Sequence, residues 1–75
     1  MFRIEQAVGA VDGANVEFDT TASYHAGSTK LAINGVFKEP SDDDGWVEAG
    51  GTRVTLKLPP QTGDVIQIAY RAGTP

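Results

Sequence analysis

Glycine and proline breakers recur along the whole chain, and between them apolar and polar residues alternate in short runs. Gly13, Gly27, Gly35, Gly45, Gly50-Gly51, Pro59-Pro60 and Gly63 are the main interruptions. No stretch between them repeats apolar residues at i, i+3, i+4 and i+7 long enough for an amphipathic helix. Period-two alternation over a short run is the mark of a half-buried strand. The chain is therefore expected to be all-β, a compact antiparallel β-sandwich or barrel-like fold of six to seven short strands. It should form a single domain over residues 1–75, with a frayed tail at about 72–75.

The runs place the expected strands. Phe2 to Val8 carries Phe2 and Ile4 on one face, and Asn15 to Thr20 carries Val16 and Phe18. Lys30 to Asn34 turns Leu31 and Ile33 inward. Asn34-Gly35 then predicts a two-residue hairpin turn, because a type I′ turn needs positive φ at both central positions. Val36 to Lys38 starts the return strand. Glu39 to Gly45 reads as a solvated loop, since Pro40 cannot donate to a ladder and Asp42, Asp43 and Asp44 repel one another. Trp46 to Glu48 is a short strand. Thr52 to Leu58 puts Val54, Leu56 and Leu58 on one face. Gly63-Asp64 marks another turn, and Val65 to Tyr70 closes the domain with Ile66, Ile68 and Tyr70 inward. The predicted core is Phe2, Ile4, Val16, Phe18, Leu31, Ile33, Trp46, Val54, Leu56, Leu58, Ile66, Ile68 and Tyr70.

Seventy-five residues bury little surface, and domains this small often add disulfides, metals or partner subunits. With no cysteine and one histidine, disulfides, thiolate zinc sites and histidine-rich metal cages are excluded. The formal charge of −4 argues against nucleic acid and anionic membranes as partners. No apolar run is long enough for a signal peptide or a membrane span, so synthesis in the cytoplasm is the expectation. Edge strands in so small a β-domain invite self-association.

Candidate chemistry is sparse. Asp42-Asp43-Asp44-Gly45 suggests calcium. In EF-hand register, however, the first and twelfth positions fall on Pro40 and Gly51, which offer no carboxylate. A different calcium site could use Asp42, Asp44 and Glu48. His25 could pair with Ser23 or Ser28 and Asp19, but no nucleophile motif frames them. Gly50-Gly51-Thr52-Arg53 precedes a strand rather than the helix that a phosphate loop requires. The domain is expected to be non-enzymatic and free of cofactors. Tyr24, Phe37 and Asp43 are the candidate contact residues. Together with the acidic loop they would suit a carbohydrate-binding or adhesin-like module.

The ordered motifs are Asp12-Gly13, Phe18, Tyr24 with Gly27-Ser28, and Leu31-Ala32-Ile33-Asn34-Gly35. They continue with Gly51-Thr52-Arg53-Val54-Thr55-Leu56, Pro59-Pro60, and Gly63-Asp64-Val65-Ile66-Gln67-Ile68-Ala69-Tyr70. This order resembles a small β-domain that recurs in phage tail fibre, baseplate and neck-appendage proteins, and it covers about residues 12–71. The acidic insert Ser41 to Asp44 replaces a shorter, aromatic-containing turn of that family. The resemblance implies a phage or prophage structural protein, an assembly, attachment or decoration module of the virion. Its partners would be other virion proteins or further copies of itself. The chain from Met1 to Pro75 would then be a stand-alone particle component. The resemblance transfers no catalytic residue. It assigns Asn34, Gly35, Gly63 and Asp64 to turns, and Ile66, Ile68 and Tyr70 to the core.

Overall fold

The computed structural model describes residues 2–73, without the side chain of Phe2. Its strands are β1 (Phe2–Gln6), β2 (Glu17–Asp19), β3 (Lys30–Ile33), β4 (Val36–Phe37), β5 (Trp46–Gly50), β6 (Arg53–Leu56) and β7 (Ile66–Arg71). They form two antiparallel sheets, ordered β1-β7-β3-β4 and β2-β6-β5. Among the described residues there is no helix, and so none long and apolar enough to cross a membrane. The radius of gyration is 11.1 Å, close to the roughly 11 Å of a compact chain of this length.

The turns follow from local chemistry. Asn34 and Gly35 both lie in the left-handed region, at φ 53° and 83°, which produces the tight β3–β4 hairpin. Asn34 also laces this turn to the one before β7. Its side-chain amide donates to Asp64 Oδ1, and its Oδ1 accepts from the Val65 backbone N–H. Asp64 in turn accepts from the Gln61 N–H through Oδ2. Two turn motifs far apart in sequence therefore fold as one unit at this end of the larger sheet.

Between the sheets lie Phe18, Leu31, Val54, Ile66, Ile68 and Tyr70, each essentially without solvent contact, with Trp46 and Leu56 beside them. Burying an aliphatic side chain of this kind stabilises by about 1.5–3 kcal/mol. Val16 and Ile33 pack against this core while remaining partly exposed.

Several expectations are corrected. Ile4 is 66% exposed. It sits opposite Ala69, whereas Glu5 sits opposite the inward-facing Ile68, so the parity of β1 is the reverse of that predicted. The inward set of β1 is polar because Glu5 meets the hydroxyl of buried Tyr70, and the small Ala7 carries the burial beyond it. Leu58 is also exposed, because β6 ends at Leu56 and a bend turns the next residues out. Ala72 and Gly73, expected to fray, are held by a bridge to Tyr24 and by the Gly73 N–H donating to Ser23 O. Phe2 as a core side chain, and the tail at Thr74 and Pro75, lie outside the described residues.

The sheets meet along two gaps. At the β1–β2 gap the backbone closes the join, because Val8 and Asp19 exchange N–H···O bonds of 2.8 Å in both directions. Glu5 reinforces it by accepting from the Thr21 N–H and hydroxyl and from the hydroxyl of buried Tyr70. At the opposite side β4 and β5 each have a ladder partner on one side only, and no ladder joins them.

Candidate functional site

The open seam between β4 and β5 is fastened by side chains. Glu48, on β5, accepts from the Gly27 N–H, the Thr29 N–H and the Thr29 hydroxyl. Trp46 Nε1 donates to the same Thr29 oxygen at 3.0 Å. A carboxylate thus caps two backbone donors on the segment leading into β3, which would otherwise be open to strand pairing. An inward-pointing charge of this kind blunts a sheet edge.

The backbone at both edges is turned toward the seam. Lys38 N–H bonds Leu31 O, so the polar backbone groups of Phe37 face away from β3. Leu56 N–H bonds Val16 O, so its opposite residue Trp46, and Glu48 two residues on, direct their backbone groups away from β6. A shift of register between Glu48 and Gly50 ends this regular edge.

Two adjoining recesses lie along the seam and share Gly27, Thr29, Pro40 and Trp46. The first, of about 390 Å³, extends to Val47, Glu48 and Lys57. The second, of about 310 Å³, extends to Lys30 and to the stretch from Phe37 to Glu39. Phe37 and Val47 stand at their rims, 62% and 57% exposed.

The acidic loop forms one wall and is ordered rather than loosely solvated. Asp42 N–H bonds Glu39 O, Gly45 N–H bonds Asp42 O, and Asp42 Oδ2 accepts from the Glu39 N–H. Lys57 Nζ donates to the carbonyls of Pro40 and Asp42. Asp44 pairs with Lys38 at 2.8 Å, and that hydrogen bond holds the Asp44 carboxyl below its usual range and the Lys38 ammonium above its own. Gly45 is obligatory, since a Cβ there would stand 2.3 Å from the Glu39 carbonyl. Asp43 is exposed.

The expected site residues separate into those at the seam and those away from it. Phe37 and Glu48 line the recesses there, Asp42 and Asp44 reach them only through Lys57 and Lys38, and Asp43 lines neither. Tyr24 lies away from the seam, and its assignment as a contact is corrected: it is buried, its hydroxyl donating to Arg53 O and accepting from the Gly50 N–H. Trp46 is buried too, so an aromatic sugar platform retains only Phe37. The calcium set is also corrected. Asp42, Asp44 and Glu48 serve different partners, and no three His, Cys, Asp or Glu residues among those described are grouped to hold a metal.

Nor does the structure assemble a triad at His25. Ser28 donates to the His25 backbone carbonyl, while Asp19 accepts from Arg53 and Thr52. The Arg53 hydrogen bond is the main cause holding the Asp19 carboxyl below its ordinary value. Gly50 and Gly51, at φ 97° and 63°, turn the chain between β5 and β6.

Sequence reasoning missed Thr29, Glu48 as a fastener, and Lys57. Glu48 stood in an alternating run with Trp46, which was the available signal that a carboxylate faced inward. No protein family, curated protein or solved structure matched the chain.

Proposed function

We propose that this domain is a non-enzymatic assembly, attachment or decoration module of a phage or prophage particle, in its tail or neck region. It would act by receiving an extended segment of another virion protein along the β4–β5 seam. The observation that carries the binding reading is the pair of sheet edges without ladder partners, flanking a recess rimmed by exposed Phe37 and Val47. An added strand gains main-chain hydrogen bonds from such an edge and specificity from neighbouring side-chain pockets. The virion assignment is supported by the order of the turn and strand motifs from Asp12 to Arg71. The acidic balance supports protein partners over nucleic acid or anionic lipid.

The test is mass spectrometry of particles purified from the phage or induced prophage that encodes the chain. The wild type should co-purify with the particle, and Phe37→Glu with Val47→Glu should be left in the soluble lysate. Wild type confined to the lysate would reject the virion assignment. Full incorporation of the double variant would reject the seam as its point of attachment.

The exposure of Phe37 favours a carbohydrate-binding module as the second reading. Glycan-array binding that is lost with Phe37→Ala would support it.

A further inference from the structure

We infer that the outer face of the four-stranded sheet is a second interface, which docks head to tail on the acidic loop of another copy of this chain. The inference does not rest on the virion assignment, although Lys30, Phe37 and the acidic loop also border the seam. It begins with the reversed parity of β1. Since Ile68 and Tyr70 point inward, Ala69 and Arg71 point outward on β7, and by cross-strand register so do Ile4, Lys30, Ala32 and Phe37. Ala32 and Ala69 are each only 3% exposed and lie low in the middle of the sheet. Ile4 and Phe37 rise at its two borders, on β1 and β4. The borders are three strand spacings apart, roughly 14 Å. Gln6 and Gln67 share this face and are exposed, so the result is a shallow trough of mixed polarity with two raised apolar rims.

Charge identifies the occupant. No described outward position of this face carries an acid, although the chain has 10 acidic residues against 6 basic ones. Lys30 and Arg71 lie at the same end of the face, and neither has an acidic partner within ion-pair distance among the described residues. Glu39 lines a recess with Lys30 without forming an ion pair. The acidic loop has the opposite balance. Glu39, Asp42, Asp43 and Asp44 meet only the two ammonium groups of Lys38 and Lys57. It is internally hydrogen-bonded, so it can be presented without much ordering cost.

Face-to-face pairing of two identical sheets would set like charges together in one of its two alignments. Docking the face on the loop brings Lys30 and Arg71 against the carboxylates of the loop. A contact between two different patches of one chain either closes into a ring or continues as a filament.

The experiment is sedimentation velocity over a range up to about millimolar protein, at low salt and at about 1 M salt, where the screening length falls to about 3 Å. Two charge-inverted variants are compared, each checked for folding by circular dichroism. One carries Lys30→Glu with Arg71→Glu on the face. The other carries Ser41→Lys with Asp43→Lys, at exposed loop positions that make no side-chain hydrogen bond. Wild type should grow in mass with concentration at low salt and revert to monomer at high salt. Each variant alone should associate measurably more weakly than wild type at the same concentration, by up to about fivefold for each reversed pair. The two variants mixed should associate again, because the inverted face then meets the inverted loop and the normal face meets the normal loop.

Monomeric wild type, association unaffected by salt, or a loop variant that assembles like wild type would overturn the inference. So would a mixture that stays monomeric. If an inverted pair fails to fold, Arg71→Gln and Asp43→Asn test the same contacts with milder changes. Particle incorporation is read separately, so failure here leaves the seam and virion reading standing, and the reverse holds.

Discussion

The two gaps between the sheets are built from similar parts and closed in different ways. At β1–β2 a glutamate, a threonine and a buried aromatic meet in Glu5, Thr21 and Tyr70. At β4–β5 the same three kinds of residue meet in Glu48, Thr29 and Trp46. The first gap also has reciprocal backbone bonds between Val8 and Asp19, whereas the second has none across it and leaves room along its length. Backbone closure makes the first gap part of the fold. Side-chain closure makes the second one separable from it, since rotamers can move while both ladders stay intact.

Both gaps enclose one core, so damage to the core should open both. Ile68→Asp buries an unpaired charge at a position with no solvent contact. It should cost at least about 4 kcal/mol and leave the domain unfolded by circular dichroism. Thr55→Asp, on the outer side of β6, should cost under about 1 kcal/mol by the same measurement. Similar losses from the two would show that the inward and outward faces have been misassigned.

The next test sets the two glutamates against each other. Glu5→Ala strands the hydroxyl of buried Tyr70 and the Thr21 N–H, and should lower global stability by about 1–3 kcal/mol in denaturant titration. Glu48→Ala should act locally, speeding amide hydrogen exchange at Gly27 and Thr29 while moving the melting temperature less. An equal loss of melting temperature would mean that the seam is as integral as the other gap.

Acid should separate the two gaps further. Burial alone would raise the Glu5 carboxyl, but hydrogen bonds from Thr21 and Tyr70, with the Arg3 charge, bring it below its ordinary 4.5. A carboxyl lowered in the folded state contributes fully above its unfolded pKa, and the contribution disappears as pH falls through the lower folded value. Asp12, Asp19 and Asp44 are shifted in the same direction. Thermal stability should therefore fall as pH drops below 4.5, and Glu5→Gln should flatten part of that slope. A slope unchanged in Glu5→Gln would remove Glu5 from the account.

The smallest effect on stability belongs to the rims of the seam. Phe37→Ser and Val47→Ser replace exposed side chains and should change stability by no more than about 0.5 kcal/mol, while partner binding is lost. A large stability loss would mean that these side chains serve the fold.

The sequence revealed strands and turns better than it revealed which face of an edge strand is covered. Asn34-Gly35 announces its turn because few residues tolerate left-handed backbone, and β7 alternates cleanly because both its neighbours and its inner face are fixed. β1 misleads, since its apolar Ile4 lies outside and its charged Glu5 inside, an inversion that depends on donors from Thr21 and Tyr70 far along the chain. Tyr24 reads as a loop aromatic, and only the folded β5–β6 turn shows why its hydroxyl is buried. Of the seam, Phe37 and the acidic residues could be picked out individually. Their convergence on Thr29 and Trp46 could not, because it arises only when β5 is laid beside the segment entering β3.

The position of β7 in the larger sheet has a consequence for how the chain reaches this state. β7 lies between β1 and β3, and supplies Ile66, Ile68 and Tyr70. During synthesis, β1 and the β3–β4 hairpin must wait for β7, which leaves the ribosome after them. Pairing between residues near positions 4 and 69 also closes a loop nearly as long as the described chain, which slows the search. Completion of the larger sheet is thus a late step. Until then the nascent chain carries unpaired strand edges, and the acidic stretch from Glu39 to Asp44 is well placed to keep them soluble.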